Sequence, residues 1–202
     1  MLRCRAVQRS ELKELHYITA IDNLGSILEH GILSHRRAQE LKHTSLAMDE
    51  IQKRRAGVTI PQGHPLHEYA CLYICGRNPM LYKRHEDHRN ICVLQVSSDV
   101  LDLPGVVITD GNASSKYVRF AAAPGGLQIV DRELTFAEAW TDADQIMKWR
   151  KAVAKCAEVL VPDRVDPKYI QGCYASCEES RARVNALVSK LNVIMDARFF
   201  FL

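Results

Sequence analysis

A carboxylate, Glu158, heads a short apolar run in Lys155-Cys156-Ala157-Glu158-Val159-Leu160-Val161-Pro162, and Pro162 ends it. The β-branched content predicts a buried strand. A strand end can present a carboxylate to a cleft in a fixed place, which makes Glu158 the first candidate for chemistry. A solvated glutamate at a strand edge is the alternative. Cys71 and Cys75, with His85 and His88, raise the idea of a zinc site. Their spacing matches no common zinc module, and packed thiols account for the cysteines. No metal is expected.

The chain has 202 residues, enough for one sizeable core, and residues 1–202 are expected to form one domain. Net charge is only +3, yet basic residues cluster at Lys53-Arg54-Arg55, Lys83-Arg84 and Lys148-Trp149-Arg150-Lys151 with Lys155. Such patches can hold phosphates, and solvated helix faces are the alternative. The start, Met1-Leu2-Arg3-Cys4-Arg5, does not read as a secretory leader, and no apolar segment is long enough to cross a membrane. With seven cysteines, an odd number, the expectation is a cytoplasmic protein with reduced thiols.

The elements that must position Glu158 follow from pattern. Residues 15–19 predict a first strand. Asp22 or Asn23 caps a helix over 24–29, closed by Gly31. A second helix starts at Thr44-Ser45 and carries Met48, Ile51 and Gln52, with Arg54 and Arg55 in its last turn. Strands are predicted over 70–75, 90–97 and 106–109. Asn78 followed by Pro79 predicts a capped helix start. A helix over 143–155 precedes the Glu158 strand; a strand over 169–174, a helix over 178–191 and a final strand over 193–200 follow. Strand pairs with peripheral short helices indicate an α+β domain instead of a run of βαβ units. Phosphate-loop, G-x-G-x-x-G and G-x-S-x-G signals are missing, so any nucleotide is held by another architecture.

Six blocks then fall in order. They are His16-Tyr17-Ile18-Thr19-Ala20-Ile21-Asp22-Asn23-Leu24, Asp49-Glu50-Ile51-Gln52-Lys53-Arg54-Arg55, Leu66-His67-Glu68-Tyr69, Arg77-Asn78-Pro79-Met80-Leu81-Tyr82, Thr109-Asp110-Gly111-Asn112 and Ala157-Glu158-Val159-Leu160-Val161-Pro162. The set resembles the DarT family of DNA ADP-ribosyltransferase toxins over nearly the whole chain. The resemblance implies an ADP-ribosyltransferase fold with a split, mostly antiparallel β-sheet and NAD in the cleft. It implies transfer of one ADP-ribose to a base of single-stranded DNA, with nicotinamide released. It also implies a toxin role, reversed by an antitoxin partner, usually a macrodomain protein.

By the same resemblance Glu158 is the catalytic glutamate and Arg54 the arginine meeting NAD and the target base. Tyr17, Ile18 and Thr19 hold nicotinamide, with Ser26 and Ser34 as further NAD contacts. Gly76, Arg77, Asn78, Pro79, Met80 and Leu81 form a DNA-contacting segment. Residues 110–157 form the substrate-recognition loop and its return. The family often has histidine at the position of Tyr17; this chain has its histidine one place earlier, at His16.

The chemistry suits these residue types. Breaking the bond to nicotinamide passes through an oxocarbenium-like transition state, which a fixed carboxylate stabilises. Arginine keeps its proton, so Arg54 is expected to act by charge and not as a base. Tyr69, Tyr73, Tyr82 and Trp149 are candidates for stacking on bases, and Lys148, Arg150, Lys151 and Lys155 for following a phosphate backbone. Thymine is the first choice of base and guanine the alternative. RNA ends or protein as acceptor, and an inactive single-strand-binding module, are the competing readings.

Overall fold

The structure, a computed structural model, describes residues 5–202; residues 1–4, part of the stretch that argued against a leader, lie outside the described residues. Along the chain the elements are β1 (Glu14–Ala20), α1 (Leu24–His30), β2 (Ile32–Leu33), α2 (His35–Ala38), α3 (Asp49–Ala56), β3 (Tyr69–Tyr73), α4 (Pro79–Tyr82) and β4 (Ile91–Ser97). There follow β5 (Val107–Thr109), β6 (Phe120–Ala122), α5 (Arg132–Thr135), α6 (Gln145–Ala154), β7 (Glu158–Pro162), β8 (Arg164–Val165), β9 (Ile170–Ala175), α7 (Glu178–Leu187) and β10 (Val193–Met195). The class is α+β. Among the described residues no helix is long and apolar enough to cross a membrane.

Eight strands form one sheet in the order β10-β9-β4-β1-β3-β7-β5-β6, antiparallel except for β9 with β10; β2 and β8 make a separate ribbon. The sheet is split in the middle. β1 pairs with β4 along its whole length, from Glu14↔Ser97 to Ala20↔Ile91, but with β3 only at His16↔Tyr73. In an antiparallel pair alternate residues turn their N–H and C=O toward one neighbour. Beyond His16, therefore, β1 offers backbone groups to a gap.

Both faces of the sheet are covered. Leu15, Leu72, Leu94, Val96 and Val159 pack with Leu24 and Ile27 of α1 and Val184 of α7. On the other side Ile18, Ile91 and Val93 pack with Leu81 of α4 and Phe200 near the C-terminus. Burial on both faces explains why β4 is apolar almost throughout.

Three predicted elements differ. The helix expected from Thr44 begins at Asp49. Asn23 makes no side-chain cap on α1; its amide clamps the Thr44 backbone instead, donating to the carbonyl (2.9 Å) and accepting from the N–H (2.9 Å). That holds the 44–48 segment out of helix. The expected last strand stops at Met195, and Arg198–Phe200 form a helical turn that folds aromatic rings back onto the sheet. The helix expected over 178–191 stops at Leu187.

Asn78 is as its sequence suggests. Fully buried, it accepts from the N–H groups of Met80 (3.0 Å) and Leu81 (3.1 Å) and donates to the Cys75 carbonyl (2.9 Å). Asn78→Ala removes the cap and orphans that carbonyl. It should lower stability by about 1–3 kcal/mol, read as a shift of the urea midpoint with the slope unchanged.

Candidate active site

The gap between β1 and β3 opens into a cleft of about 320 Å³. Tyr17, Ile18 and Thr19 line one wall, and Tyr69, Cys71 and Tyr73 of β3 another. Glu158, directly opposite Tyr73 in the sheet, lies at the floor, almost wholly buried. The face of α3 supplies the roof.

The expected arginine is corrected here: it is Arg55, not Arg54, that meets Glu158. Its guanidinium grips the carboxylate with two bonds of 3.0 Å, Nη1 to Oε1 and Nη2 to Oε2. Arg54 is exposed on the next side of the helix. Met48, Ile51, Gln52 and Arg55 all line the cleft, and their spacing of three, four and seven is that of one helical face. That spacing was the sequence signal for Arg55, and Arg54 falls off it.

Such a pair out of water stands only with good geometry and further hydrogen bonds. Arg55 Nη2 also lies 2.8 Å from Cys71 Sγ. Burial by itself would lower the arginine pKa, but the adjacent Glu158 carboxylate drives it well above the ordinary value. Burial raises the Tyr17 phenol to about 12 and the Cys71 thiol to about 11, and it raises the Tyr73 phenol well above its ordinary value, with Glu158 adding to the effect. The cleft therefore presents neutral phenols and thiols around one fixed ion pair. A carboxylate has about four lone-pair sites, of which Arg55 takes two.

The head of β7 is pinned. Thr109 Oγ1 accepts from the Glu158 N–H (3.1 Å) and donates to the Gly111 carbonyl (2.7 Å). Lys155 was expected on a DNA surface and is instead buried: its ammonium donates to the Ala137 carbonyl (2.5 Å). It ties the segment before α6 to the head of the glutamate strand. Lys151 is ion-paired with Asp142 at 2.8 Å, and Lys148 is exposed.

The remaining expected positions divide. Pro79 and Met80 line the cleft. Gly76, Asn78 and Leu81 are buried behind them, and Arg77 lies over the Phe201 ring at 4.2 Å. Ser34 caps α2 from a buried position, and neither it nor Ser26 lines the cleft. His16 does not replace a histidine at Tyr17. One step along a strand reverses the face, so His16 points away, bonded to Glu14 (3.1 Å) and packed against Phe199. Sequence reasoning missed His35 and His67, whose rings meet tilted at 4.1 Å on the cleft wall. Both imidazoles are lowered in pKa, by burial first and then by neighbouring positive groups that include Arg55. Among the described residues no group of three or more His, Cys, Asp or Glu could hold a metal ion.

Two predictions arise from this arrangement. Arg55→Ala leaves Glu158 buried without its partner and should cost about 3–5 kcal/mol, whereas Arg54→Ala should stay within about 0.5 kcal/mol; chemical denaturation of both reads the contrast. The histidine pair sets a pH slope. Its folded pKa values lie below about 6.5, the unfolded value. The unfolded chain therefore binds protons first, so the stability is full above about pH 6.5 and is lost as pH falls through the folded values. Replacing both by Asn should flatten the fall in urea midpoint between neutral and mildly acid pH; an unchanged slope would assign it elsewhere.

The comparisons with known proteins agree with this geometry. The family described as ssDNA thymidine ADP-ribosyltransferase, DarT, matches residues 16–200. A DNA ADP-ribosyl transferase–DNA ADP-ribosyl glycohydrolase fusion protein of Thermosipho africanus is 33% identical over 198 residues, 94% of this chain and 50% of the relative. The chain thus spans about half the length of that fusion protein. The structure of Thermus sp. 2.9 DarT in complex with ADP-ribosylated ssDNA matches with a TM-score of 0.82 at 25% identity, over 96% of this chain and 99% of that one. The same Thermus protein in complex with NAD+ matches with a TM-score of 0.77 at 25% identity, over 94% and 98%. With a cleft of this construction and a family match from His16 to Phe200, the chain belongs to the DarT family.

Proposed function

We propose that the chain is an NAD-dependent mono-ADP-ribosyltransferase acting on a base of single-stranded DNA, thymine first and guanine as the alternative. The observation that carries the reading is the buried Arg55–Glu158 pair at the floor of a cleft whose wall is the unpaired edge of β1. The related Thermus protein is described in complexes with NAD+ and with ADP-ribosylated ssDNA, which supports both substrates.

The residues fit a dinucleotide. Tyr17, Ile18 and Thr19 line the gap, where the β1 backbone groups that face away from β4 suit a carboxamide; aromatic rings flank them, and Arg55 suits a phosphate or a developing anion. Bound there, NAD supplies an ADP-ribosyl group on a nicotinamide leaving group. Glu158 stabilises positive charge growing on the ribose, and its free lone pairs are directed by the grip of Arg55. Thr109 and Lys155 prevent the carboxylate from retreating. Arg55 stays protonated and stabilises the base by charge while the proton of that base passes to solvent at the open mouth of the cleft. Pro79, Met80 and Lys83 border the side from which an acceptor enters. A toxin role, countered by a macrodomain-type antitoxin that removes the ADP-ribose, is part of the proposal; the Thermosipho relative carries a glycohydrolase in the same polypeptide.

The test is intact mass of single-stranded oligonucleotides, each lacking one base, after incubation with the protein and NAD. One ADP-ribose should appear, and should be absent where the target base is absent. Glu158→Gln should slow it about 10²–10³-fold. No gain on any DNA, with RNA ends or protein modified instead, would move the acceptor. Binding without any nicotinamide release would make the chain a passive binder.

A further inference from the structure

Two cysteines stand where β3 and β7 leave each other, beside Glu158. The strands pair as far as Tyr73↔Glu158. The Ile74 N–H then donates to the Ala157 carbonyl at 3.0 Å, which carries the register one step further. The next residues along, Cys75 and Cys156, therefore come opposite each other. In an antiparallel ladder, pairs that exchange hydrogen bonds alternate with pairs that do not, and in the second kind the Cα atoms are about 4.5 Å apart. Ile74 with Ala157 is a bonded pair, so Cys75 with Cys156 is of the closer kind. A disulfide spans Cα separations of about 4.4–6.8 Å. Alternation along the strands also puts Tyr73, Cys75, Cys156 and Glu158 on one face. The electrostatics agree: burial, then Glu158, then Cys75 raise the Cys156 thiol to about 12, with the Lys155 ammonium opposing them.

Both are free thiols. Cys156 is partly exposed and lines the cleft, so a small oxidant reaches it through the cleft opening. Cys92 and Cys173 also lie on adjacent strands, β4 and β9, but both are wholly buried in the core. A bond between Cys75 and Cys156 would be felt at the site. Cys75 directly precedes the 76–81 segment, whose Pro79 and Met80 line the cleft. Its Sγ lies 3.6 Å from the Lys155 ammonium that also holds the Ala137 carbonyl. Cys156 is two residues before Glu158.

We propose that Cys75 and Cys156 form a reversible disulfide across the end of β3 and β7, which slows the reaction at Glu158 when a peroxide is present. The peroxide supplies the oxidising equivalents. One thiol, as its thiolate, attacks a peroxide oxygen; the O–O bond breaks, water leaves and a sulfenic acid remains. The second thiol attacks that sulfur, a second water leaves and the S–S bond forms. Two thiols are oxidised and one hydrogen peroxide is reduced to two waters. Burial keeps Cys156 protonated, which confines the step to oxidising conditions. A dithiol reductant reverses it by exchange. Closing the bond takes the Cys75 sulfur from Lys155 and draws the head of β7 toward β3. Glu158 then leaves the place that Arg55 and Thr109 give it. A misplacement of about 1 Å costs on the order of 10²-fold in rate.

The test treats the reduced full chain with hydrogen peroxide, alkylates the remaining thiols and digests with chymotrypsin, which cuts after Tyr73 and so separates Cys71 from Cys75. The expected product is a linked pair of peptides carrying Cys75 and Cys156, two hydrogens lighter than their sum and parted by dithiothreitol. Nicotinamide release from NAD with single-stranded DNA should fall about 10²-fold with it and return on reduction. Cys75→Ser and Cys156→Ser, each compared with its own untreated sample, should keep their rates in peroxide. No linked pair in the unaltered chain, or a link to another cysteine instead, would overturn the inference whatever the variants do. So would a complete link with an undiminished rate, or equal loss of rate in the two variants. A reduced chain that releases no nicotinamide with any DNA, yet forms the link, would sink the activity proposed above and leave the disulfide standing.

Discussion

Placing one guanidinium and one carboxylate together out of water is the constraint on which the rest of this molecule depends. Each charge alone in that position would be costly, and removing either strands the other. The surroundings are arranged to keep them in register. α3 must turn the face carrying Met48, Ile51, Gln52 and Arg55 inward, so its start cannot drift toward Thr44, and the Asn23 clamp prevents it. Thr109 fixes the backbone of Glu158, and Lys155 fixes the loop before it. An apolar pair of similar volume would hold such a fold equally well or better. The ion pair is thus not what the fold needs for stability, and the proposed chemistry is what gives it a role.

The second requirement is an interrupted sheet. If β1 and β3 paired along their length, the β1 backbone groups that face β3 beyond His16 would be satisfied and the cleft closed. A gap in a sheet is unstable unless its flanks are held, and here both are. β4 binds the full length of β1, and β7 binds β3 from Tyr69↔Pro162 to Tyr73↔Glu158. The lower end is locked from outside the sheet by aromatic packing. Phe199 stacks on Tyr174 at 4.5 Å and sits against His16, and Gly76 lies so close that a Cβ would stand 2.6 Å from Phe199 Cζ. Tyr82, Trp140 and Phe201 meet edge to face, joining α4, the segment before α6 and the C-terminal turn. The segment that bears Pro79 and Met80 is held there by two other parts of the chain.

How far this was legible depends on what each residue's signal is about. Asn78-Pro79 is local backbone chemistry, and the cap stands as read. Glu158 was legible because a charge at the head of an apolar strand conflicts with its surroundings, and such conflicts mark sites. Arg54 and Arg55 are alike in type and position, so only helical phase separates them, and the phase required knowing that Met48, Ile51 and Gln52 face a cleft. Lys155 was misread because clustered lysines suggest a surface, whereas burial here is set by a carbonyl 18 residues earlier that sequence does not bring near. Asn23 was misread for the same reason: the acceptor and donor it prefers to a cap lie 21 residues away.

The charge distribution shows why a net of +3 says little about what the chain binds. Many of its cations serve the fold. Arg77 lies on a ring and donates to the Glu138 and Arg198 carbonyls, Arg84 donates to Leu46, Lys151 holds Asp142, and Lys155 is buried. Those charges are neutralised, or spread over carbonyl dipoles, before any ligand arrives. Lys83, Lys116, Lys148 and Arg150 are outside any ion pair among the described residues; Lys83 borders the cleft, and Lys116 and Arg150 line a separate hollow beside α6. The field a polyanion meets is set by the unpaired cations and not by the sum. A near-neutral protein can therefore present a basic track, provided its other charges are tied down within the fold, as they are here on either side of Glu158.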